Sequence, residues 1–264
     1  MLPGQLTNKK ISMKEKRISD RKARINTILS FVIFFVAFGL GVAAWFWIKK
    51  LPSETGILGG TKMPLRKGLN FNEQIFGSLF SQNKLVKTYP VSQAVKQVRV
   101  NGNIGLKQAL DSAAWKLYVV KSTGDTMAIS MEDIKKLPKI DLVFEFKCIE
   151  GWSQKTWWGG IKFADFIKAY GLQPEAKMTY VGMATPDDEY YVGLDMASAL
   201  HPQTILCYEM NGKPLPINQG YPLRLIIPVK YGIKHIKRLG TITFSNQRPR
   251  DYWAERGYDY YSGH

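Results

Sequence analysis

The chain is poor in the residues that build disulfide scaffolds and most protein-held metal sites. It has two cysteines, Cys148 and Cys207, and three scattered histidines, His201, His235 and His264, in 264 residues. Two cysteines cannot form a disulfide framework, and neither lies in the paired spacing of a zinc site. No CxxCH motif is present, which excludes covalently attached c-type haem. Low-complexity tracts and internal repeats are also absent, and 45% apolar residues are typical of a globular protein.

Acidic residues are scarce relative to basic ones, and the imbalance is local. The chain has 37 Lys and Arg against 21 Asp and Glu, a formal net charge of +16. Residues 1–26 hold eight basic and two acidic residues, and residues 49–68 hold five basic residues and one acidic residue. Both segments flank an apolar run, and such a distribution is typical of the ends of a membrane span. We therefore expect no nucleic-acid partner.

Residues 27–48, TILSFVIFFVAFGLGVAAWFWI, contain no charged side chain. A helix of this length spans about 33 Å, enough for the hydrocarbon core of a bilayer. A cleaved signal peptide is the alternative, but its apolar core is usually about 7–15 residues long and ends at a small-residue cleavage site. We predict a single-pass transmembrane anchor. The more basic amino-terminal flank places the tail, residues 1–26, in the cytoplasm and the remainder on the other side of the membrane.

Beyond the anchor, the composition predicts a tether, a folded body and a tail. Residues 49–84 contain several chain breakers, including Gly56 and Gly59, with a short helix expected over 71–81. From residue 85 to 246, short strands alternate with a few short helices, which favours an α+β fold. The expected strands lie at 98–100, 116–120, 127–129, 141–148, 178–183, 205–210, 223–227 and 241–244, and the expected helices at 130–138 and 162–170. Residues 247–264 are expected to form a carboxy-terminal tail.

Cys148 lies in the stretch EFKCIEGWSQKTWWGG, residues 145–160, between a strand pattern and a predicted turn rich in tryptophan and glycine. If the strand continues through Cys148, that residue and Glu150 face the same side, because side chains two apart on a strand do so. Trp152, Trp157 and Trp158 would then wall a pocket. A thiolate beside an acid in such a pocket suits a metal ligand or a covalent intermediate. The alternative is a packed strand cysteine with core tryptophans.

Two segments together resemble a known family. The sequence FKCIEGWSQKTWWGGIKFADFI is similar to the cofactor segment of molybdopterin-dependent oxidoreductases with the sulfite oxidase fold, nearest the branch of the periplasmic methionine sulfoxide reductase catalytic subunit. The segment at 205–244, ILCYEMNGKPLPINQGYPLRLIIPVKYGIKHIKRLGTITF, is similar to a second block of that family, in the expected order. The resemblance covers the whole predicted body. It implies a sulfite oxidase-type α+β fold of mixed sheets and short helices.

The resemblance assigns residues to a molybdenum–molybdopterin cofactor. Cys148 matches the cysteine whose thiolate ligates molybdenum, and Glu150 matches an acidic residue near the metal. Thr185 is similar to a threonine that contacts the pterin. The remaining matches are expected near the pterin or its phosphate, and they are Gln219 (or its neighbour Asn218), Arg224, Lys234, His235 and Lys237.

Basic residues in the second block also suit a phosphate-bearing cofactor on charge alone. Arg224, Lys230, Lys234 and Lys237 gather near a glycine-containing turn. For Lys230, a solvated face is an equally good interpretation. Cys207 occupies an apolar strand position and is predicted to be a core residue.

The predicted function is that of a membrane-anchored oxidoreductase that catalyses oxygen-atom transfer or a two-electron reduction of an S-oxide or N-oxide. Methionine sulfoxide is one candidate by analogy. The arginine and histidine that precede an x-P-V turn in sulfite oxidases are missing around residues 86–91, which argues against sulfite. Electrons must come from outside, because no haem, flavin or iron–sulfur motif is visible. A membrane b-type cytochrome or a quinol-linked donor is the expected partner.

Two alternatives stay open. A non-catalytic tethered binding domain would keep the fold and use the pocket for recognition. The body would also face the cytoplasm if the cofactor is loaded there, because export of a folded protein usually needs an Arg-Arg pair and the tail has only Arg21-Lys22.

Overall fold

A computed structural model describes the backbone of residues 3–55 and 60–264, with side chains described from residue 20 onward. Gly56 and Gly59 of the predicted tether lie outside the described residues. The chain divides into two compact units, Met1–Pro52 and Ser53–His264. Each unit is described by itself below.

The first unit is one long helix, α1, Pro3–Lys50. Its portion Asp20–Lys50 is long and apolar enough to cross a membrane by length and composition. The predicted span, 27–48, lies inside this portion, and its large apolar side chains are exposed.

The described residues of the second unit form ten strands in two sheets, together with a few helices, as the sequence predicts for an α+β fold. The helices are α2 Met63–Leu79, α3 Met131–Lys135, α4 Phe163–Ala169 and α5 Met196–Ala199. The strands are β1 Lys116–Val120, β2 Thr126–Ser130, β3 Lys139–Lys147, β4 Ser153–Lys162, β5 Tyr180–Ala184, β6 Tyr191–Asp195, β7 Ile205–Met210, β8 Lys213–Pro214, β9 Arg224–Ile226 and β10 Thr241–Ser245.

The first sheet has the order β2-β1-β10-β5-β6. Its pairs are antiparallel except β1 with β10, where Tyr118 lies opposite Thr241 in a parallel register. The second sheet has the order β3-β4-β7-β8, and β9 also pairs with β7. The register of β4 on β7 shifts between Gly159 and Gly160. A Cβ at Gly160 would lie 2.2 Å from the Leu206 carbonyl oxygen, so only glycine fits this bulge.

Strand β7, in the second sheet, is buried on both faces. On β7, Leu206 and Tyr208 pack into the larger core with β1, β5, β6 and β10, while Ile205 and Cys207 pack into a smaller core. This alternation follows from the two-residue period of a strand. Cys207 is fully buried, as predicted, and its thiol donates to the Glu209 carbonyl oxygen at 3.1 Å.

The local predictions are confirmed at several elements. Strands at 116–120 and 205–210 have the predicted bounds, and Ser130 caps α3 by accepting a hydrogen bond from the Asp133 amide at 3.1 Å. A strand at 98–100 is wrong, because that segment forms no ladder. The predicted tryptophan–glycine turn at 157–160 is also wrong. It is the second half of β4, whose WWGG residues pair with β3 and β7.

Two regions outside the predicted body are structured. Helix α2 occupies 17 residues within the segment predicted as a tether, so the helix expected at 71–81 is longer and begins earlier. Residues 247–264 return to the body, where Asp251, Ala254, Tyr260 and Tyr261 are buried.

Candidate active site

A cavity of about 380 Å³ opens at the carboxyl end of β3. One wall comes from the β3–β4 hairpin, with Phe146, Trp152 and Trp158. Other walls come from the loop at 98–104, from residues 219–237 and from the carboxy-terminal segment. A cleft of this size, in which aromatic side chains surround converging polar groups, is typical of a small-molecule or cofactor site.

Cys148 is the first residue beyond β3 and lines the cavity with its side chain 6% exposed. Its amide donates to the Trp152 carbonyl oxygen at 2.9 Å, and the Gly151 amide donates to the Cys148 carbonyl oxygen at 3.1 Å. Gly151 has a φ of +86°, which a residue with a side chain rarely adopts. The strand therefore ends before Cys148, and the predicted strand face shared with Glu150 is wrong. The tight turn nevertheless brings both residues to the same cavity.

Asn101 links Cys148 to Glu150. Its Nδ2 lies 3.7 Å from the Cys148 Sγ, within donor distance of a sulfur. Hydrogen bonds from Asn101 and from the Trp152 indole lower the pKa of the Glu150 carboxyl below its usual value. Glu150 is half exposed, and its Oε2 lies 4.0 Å from an Arg99 nitrogen. Arg99 in turn stacks over the Trp152 ring at 4.8 Å. Near neutral pH the cavity mouth therefore carries an ionised carboxylate beside an arginine.

Arg224 is a buried cation held by neutral acceptors. Its Nη1 donates to the Gln219 carbonyl and to Gln219 Oε1 at 2.9 and 3.0 Å, and its Nη2 donates to the His235 carbonyl at 3.3 Å. The guanidinium lies over the Trp158 ring at 4.7 Å. Burial lowers its pKa to about 10. Among the hydrogen bonds of the described residues, Nε has no acceptor.

Lys237 fixes the loop that carries Asn101. Its Nζ donates to the carbonyls of Asn101, Gly102 and Asn218 at 2.7, 3.0 and 3.2 Å. Burial, and then repulsion by Arg224, lower the pKa of Lys237 to about 7. Of the two amides considered for the cofactor contact, Gln219 lines the cavity and Asn218 does not.

His235 is the third polar group on this wall. Its Nδ1 accepts from the Ile227 amide at 3.4 Å, and its Nε2 lies 3.1 Å from the Lys230 carbonyl oxygen. Burial lowers the pKa of His235 to about 3, so the ring is neutral. The Phe146 ring packs edge-on against it at 4.7 Å.

Of the predicted site residues, six line the cavity and two do not. The six are Cys148, Glu150, Gln219, Arg224, His235 and Lys237. Thr185 instead donates to Asp187 Oδ1 at 2.6 Å and packs against Gly105. Lys234 is buried, pairs with Asp251 and donates to the Gly193 carbonyl at 3.0 Å. Trp157, predicted as a pocket wall, lies outside the lining and donates to Asp141 Oδ1.

Lys230 is also engaged inside the protein. Its side chain is 1% exposed, and its Nζ lies 2.8 Å from Asp195 Oδ2. The solvated-face interpretation of Lys230 is therefore wrong. Lys230 and Lys234 thus form ion pairs inside the body, with Asp195 and Asp251 respectively.

Several lining residues carry no strong sequence signal. The loop at 98–104 contributes Arg99 and Asn101, and the carboxy-terminal segment contributes Trp253 and Tyr258. Neither segment has the periodicity of a helix or strand, so hydrophobic patterning does not find them. The available signal is the high density of aromatic and charged residues in the DYWAERGYDYY stretch, residues 251–261.

The cavity fits an anionic, thiolate-bound cofactor. Among the described residues, no carboxylate pairs with Arg224 or Lys237, and Arg224 Nε is left without an acceptor. A buried arginine and a half-buried lysine that lack carboxylate partners suit a phosphate. The described residues contain no cluster of three or more His, Cys, Asp or Glu that could hold a metal. A metal here would take one protein sulfur, from Cys148, and its other ligands from the cofactor.

Comparison with known proteins identifies the fold family. Residues 103–253 match the model of the oxidoreductase molybdopterin binding domain. YedZ1 of Azospira oryzae, named as a subunit of a protein-methionine-sulfoxide reductase, is 35% identical over 195 residues, which cover 73% of each chain. The protein-methionine-sulfoxide reductase catalytic subunit MsrP of Campylobacter jejuni is 30% identical over 178 residues, 60% of this chain and 59% of that one.

A more distant relative is the mitochondrial sulfite oxidase of Rattus norvegicus, 27% identical over 58% of this chain and 33% of the other. The match therefore spans three-fifths or less of the MsrP and sulfite oxidase sequences. The predicted family resemblance, the sulfite oxidase-type α+β fold, the oxidoreductase class and the molybdopterin cofactor are confirmed.

Proposed function

The chain belongs to the family of oxidoreductase molybdopterin-binding domains, and from that membership we propose that it is a membrane-anchored reductase of S-oxides or N-oxides. Electrons would come from a separate membrane protein. The observation that carries the proposal is the buried thiol of Cys148, which shares a cation-lined cavity with the Asn101 amide and the Glu150 carboxylate.

Residues on the two sides of the cavity would hold the cofactor. Cys148 would ligate molybdenum, since a thiolate is a soft ligand. Arg224 and Lys237 would neutralise the phosphate of the pterin, and Gln219 and His235 would orient Arg224 through their oxygens. Bound molybdenum–molybdopterin would supply two-electron redox chemistry and oxygen-atom transfer.

Reduction of a sulfoxide to a thioether consumes two electrons and two protons and releases water. Glu150 would pass those protons inward, because its carboxylate is half exposed to solvent and accepts a hydrogen bond from the Asn101 amide. Because its pKa is lowered, the Glu150 carboxyl is ionised near neutral pH. It would therefore bind each proton only transiently and pass it on, and would not act as a general acid that is protonated beforehand. Arg99 can donate a hydrogen bond to the substrate oxygen, and Trp152 and Trp253 offer apolar surface to its carbon groups.

The names of two relatives favour methionine sulfoxide among the S-oxides. Both the Azospira and the Campylobacter proteins are named for protein-methionine-sulfoxide reduction. A protein-bound methionine sulfoxide requires an open, partly apolar site, and Trp152, Trp253 and Tyr258 are among the residues that line this cavity.

The amino-terminal helix would anchor the enzyme beside its electron donor. The portion Asp20–Lys50 would cross a bacterial inner membrane once, with the basic tail in the cytoplasm and the body in the periplasm. A membrane b-type cytochrome or a quinol-linked protein would supply electrons. Protease treatment of spheroplasts tests the orientation: digestion of the body supports it, and protection until lysis contradicts it.

The central test combines metal content with activity. Protein from a host that makes molybdopterin is expected to contain equimolar molybdenum and to reduce methionine sulfoxide with electrons from a reduced dye. Cys148→Ala should lose both metal and activity. Cys207→Ala is the matched control, because Cys207 lies outside the cavity and burial raises its pKa to about 12. Metal-free wild-type protein, or activity with sulfite but with none of a panel of S-oxides and N-oxides, would contradict the proposal.

A further inference from the structure

Helix α2 turns its polar side chains toward the body. Arg66 is 1% exposed, and its guanidinium contacts Glu54 Oε2 at 2.6 Å, Thr61 Oγ1 at 3.0 Å and the Ala254 carbonyl. One and two turns later, Asn70 and Glu73 bind Arg248 at 3.3 and 2.8 Å. The 4- and 3-residue spacings place these three residues on one side of the helix.

The opposite side of α2 is apolar and exposed. Phe71 is 61% exposed, Phe76 52% and Leu79 72%. At 100° per residue, these side chains form a continuous stripe with two further exposed residues, Leu65 and Ile75. A soluble helix normally has the reverse arrangement, with its apolar stripe facing the core.

The body fixes this orientation. Rotation of α2 to bury the stripe would break the contact of the Arg66 guanidinium with the Ala254 carbonyl. It would also separate Glu73 from Arg248. Such losses are costly for buried charges. An exposed apolar patch of this kind marks an interaction surface.

The short connection between the candidate span and α2 indicates that the apolar stripe contacts a lipid surface. Only Leu51 and Pro52 separate the end of the candidate span, Lys50, from Ser53, and Ser53 forms a bridge with Lys62 at the start of α2. A span that ends at Lys50 thus delivers the start of α2 to the membrane surface.

The charges on and around α2 complement anionic headgroups. Lys49, Lys50 and Lys67 are basic, while the one acidic residue of the helix, Glu73, faces the body. An amphipathic helix with basic and apolar residues of this kind lies in the interface with its apolar stripe in the acyl boundary.

We infer that α2 is an in-plane membrane helix, whose stripe of Leu65, Phe71, Ile75, Phe76 and Leu79 inserts into the headgroup region of an anionic bilayer and sets the orientation of the body. The inference rests on the proposed membrane anchoring. Attachment at two points, the span and α2, would fix the orientation of the cavity relative to the bilayer, whereas a flexible tether would not.

The test places an environment-sensitive fluorophore on the stripe of the full chain. Phe76→Cys carries the label, and Gln74→Cys, exposed on the polar side of the same helix, is the matched control. The native cysteines are buried, and labelled wild type supplies the blank. Both variants are reconstituted in nanodiscs of phosphatidylethanolamine and phosphatidylglycerol, then quenched with doxyl-labelled lipid or with aqueous iodide. Unchanged molybdenum content shows that each variant is folded.

The expected result is doxyl quenching at position 76 that is roughly threefold stronger than at position 74, with iodide quenching in the reverse order. A label at 76 that iodide quenches freely overturns the inference. A label shielded from iodide but not quenched by doxyl lipid also overturns it, and assigns the stripe to a second copy or another protein. Flotation with vesicles reports the anchor separately: a chain that does not float refutes the anchoring and the inference with it, whereas a chain that floats with an iodide-accessible label refutes the inference alone.

Discussion

The side-chain amide of Asn101 lies 3.7 Å from the sulfur of Cys148, although the two residues belong to separate segments of the chain. The same amide lowers the pKa of Glu150. One side chain therefore contacts both the candidate metal ligand and the candidate proton relay. The position of that amide depends on Lys237, which binds the Asn101 carbonyl at 2.7 Å.

Asn101→Ala should impair catalysis without releasing the metal. Loss of a donor to a metal-bound sulfur typically reduces activity by about tenfold or more. We expect kcat to fall to that extent and the molybdenum content to stay at the wild-type value. The pH dependence of kcat should also shift upward, because Glu150 loses a hydrogen bond that lowers its pKa. Asn103→Ala, in the same loop and the same cavity wall, is the control. Equal activities for the two variants would contradict the assigned role.

Arg224→Lys should weaken cofactor retention. Lysine keeps the positive charge but cannot reproduce the planar fork that reaches the Gln219 and His235 oxygens and stacks on Trp158. We expect about tenfold faster loss of molybdenum on dialysis, measured by elemental analysis. Arg250→Lys, a surface change in an exposed ion pair with Glu255, serves as the control. Retention that matches the control would show that charge alone is sufficient.

Asp251→Ala should destabilise the body strongly. It removes the partner of Lys234, whose side chain is 1% exposed, and a buried charge left unpaired typically costs about 3–5 kcal/mol. Urea unfolding measures the change. Lys136→Ala, which breaks a solvent-exposed pair with Asp133, should have only a small effect. If the Lys234→Met and Asp251→Leu double variant recovers much of the loss, the cost arises from the unpaired charge and not from lost packing.

Acid should destabilise the protein through His235. The pKa of its ring is about 3 in the folded state, below the ordinary value of 6.5. Below pH 6.5 the unfolded chain therefore binds a proton that the folded chain does not, so the free energy of unfolding decreases as the pH falls toward 3. The slope contributed by one such group is at most about 1.4 kcal/mol per pH unit. Urea unfolding at pH 7 and pH 5 should give a smaller decrease for His235→Gln than for wild type; identical slopes would refute this account.

The sequence predicts the body well where a pattern is local. The strand at 205–210 and the capped helix after Ser130 depend on periodicity and on one side-chain cap, and both are confirmed. It fails for β4, because tryptophan and glycine in WWGG were interpreted as a turn. Position 160 requires glycine because the Leu206 backbone of the neighbouring strand approaches it closely. Hydrophobic periodicity contains no information about such a contact.

In the candidate site too, residues in recognisable local motifs are predicted better than residues whose position depends on tertiary contacts. Cys148, Arg224 and Lys237 lie in segments that resemble family motifs, and all three line the cavity. Lys234 lies in the second of these segments and Thr185 between the two, but they bind Asp251 and Asp187, because packing that a motif does not describe decides the direction of a side chain. Trp253 enters the site through a long-range contact of a segment without regular structure, and no local pattern predicts such contacts.

The parallel pairing of β1 with β10 has a consequence for biosynthesis. The central strand of the first sheet, β10, follows β1 far along the chain, and β1 finds its parallel partner only when Thr241 to Thr243 have been synthesised. Pairings that join distant parts of a chain form late and slowly, since a large loop must close first. The aromatic wall of the cavity, at 253 and 258, is added later still. The first sheet and the cavity wall are therefore incomplete until these residues have been synthesised, and we expect the cofactor to bind after that point.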